Sequence, residues 1–567
     1  MVPRPSPGDF FGFLPVRAAR YCRLPRTLSG SDKAVIHPAR TACSRLGGHL
    51  GRRLWGASTV QMTPKHRLQH GYTMSLMNTT SIPTAPPGPF TPALARILAT
   101  VSVAFVVTQL DVTIVNIALA RIGTDLQANV AGLQWIVDAY TLSFAVLMLS
   151  AGVLGDRLGA RRTFAAGIAL FALASLACGL ATSAATLVAA RALQGIGAAA
   201  MLPNSLALLN QACRHDPKLR ARAVGLWTAA GAISIAAGPV IGGLLIAAFG
   251  WRSIFLVNLP LCVAGLVATF AWVPGPAPSS AARGDTAQPP RSLDFPGQCL
   301  AIVTLTAFTA AVIEWRPLGL THPVVAGGFL LALVTGCLFI VVERRVRSPM
   351  VPLPLFGNRT FSAAVLFGIC VNLTYYGVVF VLSLYLQRVR GDTPLQAGLA
   401  FLPLTGGFLI SNVASGWVVG RYGARVPMIV GALTAAFGYG LLHRVNADTS
   451  LIGLLVPFLL IPSGMGFAVP AMTTAVLASV EPQRAGTASA ILNTARQAGG
   501  AIGVAAFGAL ASGAGVAHIV FGVQAATAVS VGLLLIGAVL GCLVHPQPHV
   551  RGTAKTDARA TKPQMES

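Results

Sequence analysis

The sequence predicts an all-α membrane protein with about fourteen transmembrane helices. Three observations lead there. Apolar residues fill 54% of the 567 positions and charged residues only 10%, where a soluble domain carries about 25% charged residues. Mean hydropathy is +0.69, and no long stretch returns to a soluble-domain level. Between Leu94 and Leu543 runs long enough to cross a bilayer, which takes about 20 residues each, follow one another with short polar breaks. A signal peptide followed by a soluble domain is therefore excluded.

The first 90 residues have no hydrophobic periodicity. They are rich in Pro, Arg, Ser and Gly, with Arg4, Arg17, Arg20, Arg23, Arg26 and further cations against Asp9 and Asp32. Such a segment is expected to be disordered. Being Arg-rich and acid-poor it resembles an organellar transit peptide; alternatively translation starts at Met74 or Met77, leaving a short tail. Spans are expected at roughly 96–119, 131–153, 163–182, 186–210, 221–248, 251–273, 296–314, 324–342, 361–386, 395–418, 427–446, 451–478, 487–512 and 521–543. A polar tail, also expected to be disordered, covers 546–567.

The connections alternate in charge. One set carries Arg157, Arg161 and Arg162, then Arg214, Lys218, Arg220 and Arg222, then Arg344, Arg345, Arg347 and Arg359, then Arg421 and Arg425. The opposite set spreads Arg121, Arg252, Arg316, Arg388, Arg390 and Arg444 over more loops. The positive-inside rule then puts both termini in the cytoplasm, as an even span count requires. The net charge of +25 comes from these loops and the N-terminal extension, so no nucleic-acid partner is expected. Nine scattered cysteines, without a CxxC pair, argue against disulfides and metal sites. No GxxxxGK[ST] loop occurs, so ATP is not the energy source. No cofactor is expected and no enzymatic cluster stands out.

The chain repeats itself. Gly152-Val-Leu-Gly-Asp156-Arg157-Leu-Gly159-Ala-Arg161 recurs as Gly416-Trp-Val-Val-Gly420-Arg421-Tyr-Gly423-Ala-Arg425. Two parallel halves of six spans fit this offset if 296–342 is a two-span insert. The expected organisation is thus an N-terminal half (91–275), a linker with two inserted helices (276–348) and a C-terminal half (349–545). Internal repeats around a central cavity are the architecture of secondary transporters.

Several spans carry residues that lipid cannot satisfy. Asp111 lies in the first, and a carboxylate at that depth is a functional candidate by default. On a helical wheel Gln109, Thr113 and Asn116 share a face, while Asp111 and Thr108 point elsewhere. In the second span Gln134, Asp138 and Thr141 share a face, with Trp135 and Tyr140 nearby; Asp138 belongs either to a cavity or to the headgroup level. In the fourth, Arg191, Gln194, Gly195 and Ala198 follow i, i+3, i+4, i+7 spacing. In the fifth, Gly231, Gly238, Pro239, Gly242 and Gly243 allow close helix approach and a kink. In the thirteenth, Asn493, Arg496, Gln497 and Gly500 form a polar stripe. Asp111 or Asp138 is the expected partner of Arg496, with an anion-facing or drug-binding role as the alternative.

In this order the motifs resemble those of the major facilitator superfamily, specifically its fourteen-span drug:proton antiporter branch. The resemblance covers nearly everything from Leu94 to Leu543. It implies two six-helix halves plus two inserted helices, and proton coupling through Asp111 and Arg191. It implies a gating loop of Gly152, Asp156, Arg157, Gly159, Arg161 and Arg162, weaker in the second copy, where Gly420 replaces the acid. Gly238, Pro239, Gly242 and Gly243 look like the motif that marks antiporters. The cavity candidates, several of them taken from residue chemistry alone, are Gln109, Thr113, Asn116, Trp135, Asp138, Tyr140, Gln194, Asn493 and Arg496. The implied protein is a monomer in the plasma membrane that exchanges protons for amphiphilic or cationic small molecules. A dedicated exporter of one metabolite, such as an antibiotic, siderophore or amino acid, is the alternative, and a non-transporting membrane sensor a remote one.

Overall fold

Each apolar run becomes a helix, and most of them open on a polar cap. The computed structural model describes residues 90–275 and 294–545, apart from 215, 347, 348, 482, 483 and 514. The expectations for the basic extension, the linker between 276 and 293 and the tail at 546–567 lie outside the described residues. Within them there are helices and no strands.

The first six spans are α1 (Pro92–Asp125), α2 (Val130–Leu158), α3 (Ala160–Gly179), α4 (Ala184–Ala212), α5 (Pro217–Phe249), and α6 (Ser253–Leu256) continuing into α7 (Asn258–Trp272). Two further spans are α8 (Phe295–Leu318) and α9 (Pro323–Arg345). The last six are α10 (Arg359–Leu384), α11 (Pro394–Ala400) joined to α12 (Leu402–Tyr422), α13 (Arg425–Leu442), α14 (Leu451–Ala478), α15 (Ala485–Leu510) and α16 (Val516–Cys542). Thr91, Asn129, Ser183, Asn358, Thr393 and Ser450 cap six of these starts by accepting backbone N–H bonds.

Thirteen of the helical spans are long and apolar enough to cross a membrane. The remaining long helix, α15, is diluted by Asn493, Arg496, Gln497 and several glycines, and it completes the expected fourteen. Several helices outrun the expected bounds; α1, for example, adds a turn at each end beyond 96–119. Apolarity marks the lipid-crossing part, whereas capping marks the helix.

In the first half α4 packs on α2 and α3, α1 on α5, and α7 on α1 and α3. In the second, α10 packs on α15 and α16, and α14 on α12 and α13. The halves meet along α2–α15, along α5 with α11 and α12, and along α1–α10. Helices α8 and α9 form a hairpin whose first arm lies against both α2 and α15. Gln298 of α8 ties it to α2, bonding the Ser150 hydroxyl and, through Nε2, the Val146 carbonyl at 3.0 Å.

Both copies of the repeated loop turn on a glycine in the left-handed region, Gly159 (φ 94) and Gly423 (φ 73). A side chain there would be strained, which explains why the glycine spacing repeats. These loops define one end of the molecule, the loop end. Residues 126–129, between α1 and α2, lie at the opposite, far end.

Candidate functional site

Asp111 and Arg191 form a fully buried ion pair in the core of the first half. Helix α1 supplies the acid and α4 the cation. The second oxygen of Asp111 accepts from Gln194 Nε2 at 2.8 Å and from Asn258 Nδ2 at 3.3 Å. Gln194 Nε2 also reaches Ser175 Oγ at 2.8 Å, and its Oε1 accepts from Arg191 Nη1 at 2.6 Å. Arg191 Nε donates to the Ile136 carbonyl at 3.1 Å. The guanidinium lies over the ring of Tyr140, 4.4 Å from its centroid, with Phe255 at 5.8 Å. A buried charge is tolerated only when paired and hydrogen-bonded, and here both conditions hold on both sides.

The network draws on α1, α2, α3, α4, α6 and the start of α7. Gln194 stands three residues after Arg191, so the spacing read from the sequence does bring the two together. Ser175 and Asn258 were missed. Asn258 carried a legible signal, being an amide in an apolar run, while Ser175 carried none.

Among the described residues, a larger cavity and a small cleft lie between the halves. The larger, about 590 Å³, opens at the loop end and is lined by Gly152, Asp156 and Asn204 from the first half and by Arg484, Gly486 and Thr487 from the second. A small cleft of about 20 Å³ is lined by Thr113, Asn116 and Pro239 on one side and by Tyr375, Tyr376, Phe401 and Thr405 on the other. The far end is sealed. Gln134 Nε2 donates to the carbonyls of Val504 (3.1 Å) and Ala505 (2.6 Å). Gln387 Nε2 donates to Ile117 O at 3.0 Å, and the Ser383 hydroxyl bonds Asn116 O. The chain is therefore open at the loop end and closed at the far end.

The glycines of α5 make the close contacts the motif suggests. A β-carbon at Gly238 would strike Thr113 of α1, and one at Gly242 would lie 2.6 Å from Ile114 Cγ1. At Gly243 it would lie 2.7 Å from Leu395 Cα and 2.8 Å from the Pro394 carbonyl oxygen, both in α11 of the other half. The carbonyl of Pro239 packs against Gly398.

A profile of the Major Facilitator Superfamily matches residues 101–504. The chain belongs to the major facilitator superfamily. It is similar to the methylenomycin A resistance protein of Streptomyces coelicolor, 38% identical over 404 residues that cover 71% of this chain and 83% of that protein. It is equally similar to the multidrug resistance protein Stp of Mycobacterium tuberculosis, 38% identical over 401 residues, 71% of this chain and 73% of that one. Among solved structures the nucleoside transporter NupG shares the fold, with a TM-score of 0.56 over 80% of this chain and 99% of that chain at 10% identity.

Within the superfamily fold several expectations for individual residues need correction. Thr113 and Asn116 line the cleft, but Tyr140 and Gln194 belong to the buried charge network. Trp135 packs beside Val312, Ile313 and Phe308 of the inserted hairpin. Gln109 and Asn493 are half-buried and line neither cavity. Asp138 is 0% exposed and neither carboxylate oxygen has a hydrogen-bond partner, so it lies neither at a headgroup nor on a cavity wall. Its face of α2, shared with Gln134, turns toward α15.

Arg496 pairs with neither acid. Its Nε donates to Asn372 Oδ1 at 3.3 Å, and it has no ion pair among the described residues. In the loop, Gly152 and Asp156 line the larger cavity, while Arg161 bonds the Thr269 and Phe270 carbonyls at 3.3 and 2.8 Å within its own half. Arg162 is exposed. With the loop end open, Arg161 holds its own half rather than the facing one.

Proposed function

We propose that the chain is a proton-driven exporter of amphiphilic small molecules that works by alternating access, a transporter and not an enzyme. The observation that carries this reading is the Asp111 network. A titratable carboxylate with a fixed cation and two amides, sealed inside one rocking half, is what coupling to protons needs. Arg191 stays ionised and cannot carry the proton, so Asp111 is the carrier and Arg191 the group that its protonation releases. Support for alternation comes from the seals themselves, four hydrogen bonds and the close glycine contacts between α5 and α11, which join the halves without any ion pair among the described residues.

Export is supported by the relatives, whose names describe resistance to methylenomycin A and to multiple drugs. The loop end, which carries the denser set of arginines, faces the cytoplasm in this reading, as do both termini. Asp156 and its neighbouring arginines then act as the gate, meeting the facing half when the loop end closes. The protein works as a monomer.

The test is transport in inverted membrane vesicles under an imposed pH gradient. Ethidium should be concentrated when the gradient is present and should leak out when it is collapsed. Accumulation that ignores the gradient would defeat the proposal. The reading of a dedicated exporter draws on the methylenomycin relative; it predicts that of a panel of dyes and antibiotics, ethidium included, the gradient concentrates at most one compound.

A further inference from the structure

We infer that Arg496 and Asn372 form a recognition site for an anionic group, such as a carboxylate, on the transported molecule. This deepens the export reading and rests on it.

An arginine inside a membrane-spanning helix almost always pairs with an acid or with backbone carbonyls. Arg191 in the first half obeys that rule fully. Arg496, near the middle of α15, does not. Its one side-chain hydrogen bond among the described residues goes to a neutral amide oxygen, that of Asn372. Neither buried acid of the first half pairs with Arg496. Asp111 is already engaged by Arg191, Gln194 and Asn258, and Asp138 bonds nothing.

The amide of Asn372 adds an independent observation. The residue is 4% exposed, and while its oxygen accepts from Arg496, its Nδ2 has no hydrogen-bond partner. Beyond that bond, the guanidinium's remaining donors and the adjacent Nδ2 make no hydrogen bond among the described residues. A planar fork of donors matches a carboxylate in geometry and charge.

Arg496 and Asn372 line neither cavity themselves, but α15 borders the larger one and α10 the small cleft. Along α15, Arg496 lies deeper than Thr487 and Ala490, which line the loop-end cavity, and just before Gly500, where a β-carbon would lie 2.9 Å from the Tyr376 ring. Tyr376 follows Asn372 by one turn of α10 and borders the small cleft between the halves. Tyr375 meets it edge to face, with ring centroids 5.4 Å apart. An anion bound here would have aromatic surface beside it, suited to the apolar body of an amphiphile.

The experiment measures dye binding by fluorescence polarisation on the full chain in lipid nanodiscs, without a pH gradient. Fluorescein is the carboxylate probe and ethidium the cationic control. Arg496→Gln should weaken fluorescein binding at least tenfold and leave ethidium unchanged. Asn372→Asp keeps the arginine but supplies an internal carboxylate to it, so it should weaken fluorescein binding as strongly while preserving the thermal unfolding midpoint. Unchanged fluorescein affinity in Asn372→Asp, or equal losses for both dyes, would overturn the site. So would a wild-type chain that binds ethidium but not fluorescein, although that result leaves the export reading standing. Conversely, Arg496-dependent binding of fluorescein without gradient-driven transport of either dye would sink the export reading alone.

Discussion

Gly243→Ala should tip the conformational balance toward the state open at the far end. The added methyl would lie 2.7 Å from Leu395 Cα and 2.8 Å from the Pro394 carbonyl. Both are backbone atoms, so no side chain can swing aside and the halves must part. Overpacking of this kind costs about 1–3 kcal/mol. The contact joins the two halves, so the cost falls only on the far-end-closed state, and the populations shift by about 5- to 150-fold. The gain in helix propensity from Gly to Ala, roughly 1 kcal/mol, applies to both states and cancels. The assay is the distance between spin labels at Thr124→Cys and Ala447→Cys, which flank the far end on opposite halves, in a background without exposed native cysteines. The label pair should move to a longer separation in Gly243→Ala. Gly440→Ala, where a β-carbon would have nothing within 4 Å, should leave the distribution unchanged. An unaltered distribution in Gly243→Ala would mean that this contact does not hold the far end shut.

Asp111→Asn keeps the shape but leaves the Arg191 guanidinium buried without a counter-charge, at a cost of about 3–5 kcal/mol. It should lower the unfolding midpoint and abolish gradient-driven accumulation in vesicles; persistent accumulation would move the proton to another acid, with Asp138 first. Gly238→Leu would push a branched side chain into Thr113, so it should leave membrane insertion intact, judged by membrane fractionation, while stopping efflux. Asp138→Leu removes a buried carboxylate that has no partner. Relieving an unsatisfied polar group is worth about 1–3 kcal/mol, so the unfolding midpoint should rise, and a fall would indicate a partner that appears only in another state.

How much of this was legible depended on what each residue had to satisfy locally. Helix number could be read because every span must be apolar along its own length. Asp111 and Arg191 could be associated only through the resemblance of their motifs to those of the superfamily, since the residues alone left Asp111 open as a partner of Arg496. Arg496 misled because a buried arginine demanded an acid, and the sequence cannot say which helix faces turn toward each other across the halves. Tyr140 and Trp135 show the same limit. They are five residues apart on one helix, yet one covers a guanidinium inside the first half and the other meets the inserted hairpin. Their directions follow from how α2 crosses α4, α8 and α15, which is a property of the assembled fold. Asn372 carried the same signal as Asn258, an amide in an apolar run, but its meaning comes from the neighbour 124 positions away.

The hairpin of α8 and α9 makes the molecule lopsided toward the lipid. A two-half rocker has two lateral slots, one on each side, through which a molecule dissolved in the bilayer could slide into the central space. Here the slot between α2 and α15 is covered by α8, and Gln298 fastens that cover to α2 where the larger cavity begins. Asp294, Met350 and Leu355 complete this wall of the cavity. The other slot, between α5 and α12, has no inserted helix across it among the described residues. On that side the halves meet directly, along the helix that carries Gly238 and Gly243, so what separates the central space from lipid differs between the two lateral faces.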